Sequence, residues 1–208
     1  MEGSGFNVGA VAVIKGVRHP ISVARAMLNE EPILLAADGA RRFAIEKGLP
    51  ICDPADLIVQ KQQSRKTGTH DTVGCVALDR TGRLAVGTST GGLDGSPPGR
   101  VGDSPQPGCG YYVDDHVGGV AFSGDGEEIA RKMLAARVMQ VLPHTSPEEA
   151  LLYALHQVAE IGGEAGGILL TRNGTFAWEH NSSDFAVAIL SSEMAAPVAY
   201  TNKAADAQ

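Results

Sequence analysis

Short apolar runs alternate with amphipathic stretches along this chain, and their lengths separate strands from helices. Residues 8–14 and 33–37 are apolar runs of strand length. Residues 21–29 (Ile-Ser-Val-Ala-Arg-Ala-Met-Leu-Asn) follow Pro20 and set Ile21, Ala24 and Leu28 on one helical face. Residues 39–47 are rich in Ala and Arg and also read as helix, whereas residues 60–71, rich in Gln, Ser, Lys, Thr and Gly, read as a mobile linker. Beyond them, residues 72–78 and 84–88 flank Asp79-Arg80-Thr81-Gly82, a hairpin signal with glycine in the turn. Residues 91–116 form a long Gly/Pro-rich loop, and loops of that length inside compact domains are usually functional or disordered. A strand over 117–122 leads into a helix over 127–142, periodic in Ile129, Leu134, Val138 and Val141. A second helix over 146–161 is opened by Ser146-Pro147-Glu148-Glu149. Residues 167–171, 175–180 and 185–190 close the pattern as strands, the first two joined by Arg172-Asn173-Gly174. Hairpins, then helices, then strands imply an α+β chain with helices packed on stacked antiparallel sheets.

Composition narrows the functional classes. The 208 residues suffice for one domain with a substantial core, and 43% hydrophobic with 20% charged residues is ordinary for a globular protein. A formal net charge of -7 argues against a nucleic-acid partner. No run reaches the ~18 apolar residues of a membrane span, and the first residues lack the basic and apolar regions of a signal peptide. Cys52, Cys75 and Cys109 are scattered, odd in number and without metal-ligand spacing, which fits reduced thiols in a cytoplasmic protein. Asn173-Gly174-Thr175 and Asn181-Ser182-Ser183 then read as chance sequons, and His116 after Asp114-Asp115 as an exposed polar loop rather than a metal site.

Four features carry candidate chemistry. Thr72 stands at the mouth of a strand behind His70-Asp71. A threonine is a weak nucleophile unless a base adjoins it, and cutting the chain before it turns its own α-amine into that base. Hairpin pairing returns Thr90, in Thr88-Ser89-Thr90-Gly91-Gly92, to within reach of Thr72. Gly99-Arg100-Val101-Gly102-Asp103-Ser104-Pro105 offers an arginine for a carboxylate and an aspartate for an ammonium, the two ends of an amino acid. Ser123-Gly124-Asp125-Gly126-Glu127 joins a strand to a helix; a hydroxyl and backbone N–H groups there suit an oxyanion, or equally a helix cap by Ser123 or Asp125 with Glu127 or Glu128 in the first turn.

Taken in order, these motifs resemble the plant-type asparaginase, isoaspartyl peptidase and glycosylasparaginase family of N-terminal nucleophile hydrolases. The Pro20–Arg25 helix start and Gly162-Gly163-Glu164-Ala165-Gly166-Gly167 are less specific echoes. The resemblance implies a four-layer αββα sandwich in a single domain over 1–208. It also implies autocleavage between Asp71 and Thr72, into an α part (1–71) and a β part (72–208). In that scheme Thr72 is the nucleophile and Thr90 supports it by hydrogen bonding. Ser123 and the N–H of Gly124 form the oxyanion hole, with serine where the family usually has threonine. Arg100 holds the substrate α-carboxylate, Asp103 its α-ammonium, and Gly126 makes a backbone contact.

Two further expectations follow from the same resemblance. Met1 falls where the family's first strand and its Asn-Ala-Gly loop, which holds a structural sodium, have already ended, so the chain reads as N-terminally truncated and without a cofactor or that metal. The expected partners are a small-molecule substrate (asparagine or a β-aspartyl peptide) and copies of itself, as a dimer of α/β pairs. For substrate, His70-Asp71-Thr72 resembles glycosylasparaginases, while Thr88-Ser89-Thr90-Gly91-Gly92 resembles asparaginases and isoaspartyl peptidases. The glycines would lie nearer the substrate and favour the latter. An unprocessed member that only binds ligand is the alternative from another class.

Overall fold

A computed structural model describes residues 1–58 and 72–201. Its first unit is small. Strand β1 (Ala10–Ala12) pairs in parallel with β2 (Leu34–Ala36), and helix α1 (Pro20–Ala26) makes the crossover that a parallel pair requires. Helix α2 (Ala37–Glu46) follows directly. Proline at the first position starts α1, and Val23, Met27 and Ala44 are buried among the two helices and β1.

Strands β3 (Val73–Leu78) and β4 (Leu84–Ser89) form the expected hairpin, in register from Val73 opposite Ser89 to Leu78 opposite Leu84. Asp79 ties its turn, with one carboxylate oxygen accepting from the Thr81 N–H (2.7 Å), the Thr81 hydroxyl (2.7 Å) and the Arg83 N–H (3.0 Å). The first residues run along the far edge of β4: the Met1 amine donates to the Val86 carbonyl, and the Gly3 N–H to the Leu84 carbonyl.

The main sheet is antiparallel, in the order β5 (Tyr111–Asp114), β6 (Gly118–Gly124), β7 (Ala165–Thr171) and β8 (Phe176–His180). The hairpin stacks on one face. A Cβ on Gly74 would lie 2.9 Å from the Ala121 Cβ, and one on Gly119 2.8 Å from Val76 Cγ1, so the two sheets meet where side chains are missing. On the other face lie α3 (Gly126–Lys132), α4 (Leu134–Val141) and α5 (Pro147–Ala159). Val120, Phe122 and Leu169 meet Ile129, Leu134, Val138, Leu151, Leu155 and Val158 there in the larger core. Helix α5 opens with a full capping box between Ser146 and Glu149. The short pair β9 (Val187–Ile189) and β10 (Val198–Tyr200) closes the chain, whose class is α+β.

Three expectations change. The loop expected over 91–116 ends early, because Tyr111–Asp114 is a strand: Tyr111 and Val113 turn inward between the sheets, and that burial outweighs the surrounding turn residues. The helix expected over 127–142 is two helices, broken at Met133 in the left-handed region (φ 49°). The loop carbonyls of Cys109 and Gly108 accept from the N–H groups of Ala135 and Ala136, taking over the start of α4. The strand expected over 185–190 shortens to β9 and gains β10 as a partner. The stretch read as a linker, residues 60–71, lies outside the described residues.

Candidate functional site

The hairpin register decides what stands at its open end. Val73 is opposite Ser89, so one further step sets Thr72 opposite Thr90, and both line one pocket. From Thr90 the chain enters the glycine-rich loop, whose first turn is closed by the Gly92 N–H donating to Thr90 Oγ1 (3.1 Å). The loop is lashed back to β4 by the Thr88 hydroxyl, which donates to the Ser104 carbonyl at 2.7 Å. Gln106 braces it from within, its side-chain amide donating to the Gly102 carbonyl (2.7 Å) and its N–H to the Asp103 carbonyl (2.8 Å). Asp103 and Ser104 are thereby held as the buried polar or charged residues among those described, and both line the pocket.

The opposite wall comes from the β6–α3 junction. Gly124 ends β6 with φ 153°, and Asp125 fastens the junction to the start of β7 through its N–H to the Glu164 carbonyl and its carboxylate to the Glu164 N–H, both 2.8 Å. Asp125 occupies the N-cap of α3 with Glu127 and Glu128 in the first turn, as the capping alternative expects, but its side chain makes no capping hydrogen bond to the helix. Gly126 faces the loop. A Cβ there would lie 2.8 Å from Asp103 Oδ1 and 3.0 Å from Arg100 Nη2, so glycine is what lets the two walls close.

Arg100 is held by an ion pair. Its Nε donates to Glu127 Oε1 at 2.7 Å and its Nη2 to Glu127 Oε2 at 2.6 Å, a bidentate pair with the arginine side chain only 14% exposed. The Glu127 hydrogen bonds raise the guanidinium pKa further, and the same bonds lower that of the Glu127 carboxyl, so both stay charged at neutral pH. Cys109 and Tyr111 behind the loop are instead favoured in their neutral forms: burial raises both, Tyr111 to about 12.

Thr72, Thr90, Arg100, Asp103, Gly124 and Gly126 thus converge on one pocket, joined by Gly92, Gly102 and Ser104 from the same motifs. Ser123 does not line it; that residue lies opposite Gly166 on β7, one position before the wall. Asp71 lies outside the described residues. Glu127 is the member that reading the sequence missed. It was legible as a helix-start acid, and only its proximity to Arg100, 27 residues earlier, gives it a second role. The enclosed space is small, about 10 Å³, room for about one water molecule.

The family model described as "Asparaginase" matches residues 1–67 and 59–199. The chain belongs to the asparaginase family. Among curated relatives, "Isoaspartyl peptidase/L-asparaginase" of Bos taurus is 34% identical over 90% of this chain and 67% of its own length, and the Danio rerio protein of that name 33% over 88% and 64%. "N(4)-(Beta-N-acetylglucosaminyl)-L-asparaginase" of Elizabethkingia miricola is 32% identical over 77% of this chain and 51% of its own length. The chain therefore spans about two thirds or less of the relatives it matches.

Within this asparaginase-family chain, a larger cavity of about 330 Å³ lies elsewhere, between α2 and the connection from α1 to β2 around Met27, Leu35, Arg42 and Phe43, and holds none of the candidate residues. His116 sits in an exposed turn, its N–H donating to Asp114 Oδ1, and no cluster of three metal-ligating side chains occurs among the described residues. No helix among them is long and apolar enough to cross a membrane. The three cysteines are free thiols.

Proposed function

We propose that the chain carries the site of a self-processing threonine amidohydrolase acting on L-asparagine and β-aspartyl dipeptides. The observation that carries this reading is the convergence of Thr72, Thr90, Arg100, Asp103, Gly124 and Gly126, from four separate stretches of sequence, on one pocket. Cleavage between Asp71 and Thr72 divides the domain into 1–71 and 72–208 and frees the Thr72 α-amine. It also unties one wall of a pocket too small, as joined, for an amino acid. The four-layer arrangement fits the observed stacking of helices, sheet and hairpin, with Ile21 of α1 reaching within 3.5 Å of where a Gly87 side chain would start.

In the reaction, Arg100 takes the α-carboxylate and Asp103 the α-ammonium, which points the side-chain carbonyl at Thr72. The Thr72 α-amine accepts the hydroxyl proton as Oγ bonds to that carbonyl carbon, and Thr90 steadies Oγ. The Gly124 N–H and the Ser123 hydroxyl, after a small shift toward the pocket, stabilise the oxyanion. The carbon–nitrogen bond then breaks, and the leaving amine takes the proton from the Thr72 ammonium. Water adds to the β-aspartyl ester, giving its proton to the amine, and the carbon–oxygen bond to Thr72 breaks as the ammonium returns that proton to Oγ, releasing aspartate. The scheme calls on no cofactor and no metal. It fits a cytoplasmic enzyme, assembled as a dimer of α/β pairs, that binds neither nucleic acid nor membrane.

A sugar amine as leaving group is the second reading, favoured by the 32% identity to the Elizabethkingia miricola protein. Both readings share one test. Mass spectrometry of the purified protein should find fragments split between residues 71 and 72, and incubation with a β-aspartyl dipeptide should release aspartate. Turnover by Thr72→Ala, or an intact inert chain that merely binds aspartate, would end the enzymatic proposal. Release of aspartate from a glycosylated asparagine but not from the dipeptide would select the second reading.

A further inference from the structure

We propose that Glu127 is a positioning residue that dictates how substrate meets Arg100, an inference that rests on the reading of Arg100 as the carboxylate holder. A guanidinium has five N–H donors arranged on two usable edges. Glu127 occupies one edge, engaging Nε at 2.7 Å and Nη2 at 2.6 Å. What remains is the end of the fork, the two hydrogens of Nη1 and the second hydrogen of Nη2. The substrate carboxylate therefore binds end-on, across Nη1 and Nη2, and not along the side of the arginine.

The surroundings make that choice consequential. The guanidinium lies against Gly102, where a Cβ would stand 3.0 Å from Nη1 and 3.2 Å from both Cζ and Nη2. On the Gly126 side, Nη2 and Asp103 Oδ1 crowd the same point, at 3.0 and 2.8 Å from a Cβ built there. Arg100 and Asp103 are thus near enough to attract each other, and the Asp103 charge acts on the guanidinium. Glu127 pins Nε and Nη2 and so fixes the direction in which the end of the fork faces. Glu127 is itself at the start of α3, with its side chain 43% exposed, so it acts through Arg100 and not by touching the pocket.

The test uses the processed protein and compares wild type with Glu127→Gln, which keeps the shape, Glu127→Ala and Glu127→Asp. Three quantities are read: the Kd for L-aspartate by calorimetry, and kcat and KM for asparagine and for 3-aminopropanamide, which is asparagine without its α-carboxylate. Loss of one charge-assisted contact in the arrangement predicts about a tenfold or larger rise in asparagine KM and aspartate Kd in Glu127→Gln and Glu127→Ala. The expected kcat stays within about threefold, Glu127→Asp recovers part of the loss, and kcat/KM for 3-aminopropanamide is unchanged, because that compound never uses the fork. Equal losses on both amides would mean a structural role only and would overturn the proposal, as would unchanged aspartate binding in Glu127→Gln. If wild type binds no aspartate and turns over no asparagine, the reading of Arg100 falls and this inference with it. An active wild type with an indifferent Glu127→Gln removes the inference alone.

Discussion

The two faces of the main sheet are built from different materials. The helix side is a dense aliphatic and aromatic core: Val120, Phe122 and Leu169 from the sheet meet Ile129, Leu134, Val138, Leu151, Leu155 and Val158 from the helices. The hairpin side is thin. Gly119 and Ala121 on β6 face Val76 and Gly74 on β3, with Tyr111, Val113, Leu84 and Val86 filling the space around them. Large side chains resist water and hold the domain together. Small ones let two backbones approach, which is how the open end of the hairpin brings Thr72 and Thr90 to the same pocket as Gly124. One face contributes most of the stability, and the other sets the site.

That division can be broken at its strong end first. Phe122 is 1% exposed at the centre of the helix-side core, and Phe122→Ala should cost about 3–5 kcal/mol in denaturant unfolding. The protein that remains folded should keep its KM for asparagine. A large change in KM with little loss of stability would reverse the assignment of the two faces.

The hairpin side should answer to alkaline pH. Burial raises the Tyr111 hydroxyl from its ordinary 10 to about 12, so the folded state keeps a proton that the unfolded chain has already lost. The stabilisation is whole below pH 10 and fades as pH climbs from 10 through 12, on the order of 2 kcal/mol across that window. Tyr111→Phe should remove this part of the alkaline transition, measured as unfolding free energy against pH beside wild type. An identical alkaline profile in the variant would mean that the hairpin side does not hold this phenol dry.

The smallest effect concerns the lash between strand and loop. Thr88→Val removes the hydroxyl that donates to the Ser104 carbonyl and should lower the unfolding free energy by only about 1 kcal/mol. Its consequence for the site should be larger, since the Arg100–Ser104 segment loses its tie to β4; KM for asparagine rises with kcat less affected. Unchanged kinetics would show that Gln106 alone suffices to brace the loop.

What could be read from the chain depended on how local the deciding interaction was. The β3–β4 hairpin was legible to its register, because alternation, turn and partner lie within 17 residues. Helix α5 was legible to its cap, because Ser146 and Glu149 satisfy each other's backbone within one turn. The candidate residues were legible as motifs, and Thr72, Thr90, Arg100, Asp103, Gly124 and Gly126 do share a pocket. The Tyr111–Asp114 strand was hidden although its partner is local, with Asp114 opposite Gly118, because the surrounding turn residues masked it and the burial of Tyr111 and Val113 between the sheets decided it.

The amino-acid sequence by itself determined the class, the hairpin, the capped helix, and which side chains were available for chemistry. All of these rest on contacts between near neighbours. Tertiary structure alone decided where the helix breaks at Met133, because carbonyls from a distant loop take over the start of α4. It alone left Ser123 off the pocket wall while admitting Gly124. It alone joined Arg100 to Glu127, because a bidentate ion pair depends on two ends of a folded chain arriving within 3 Å, and no local pattern encodes that meeting.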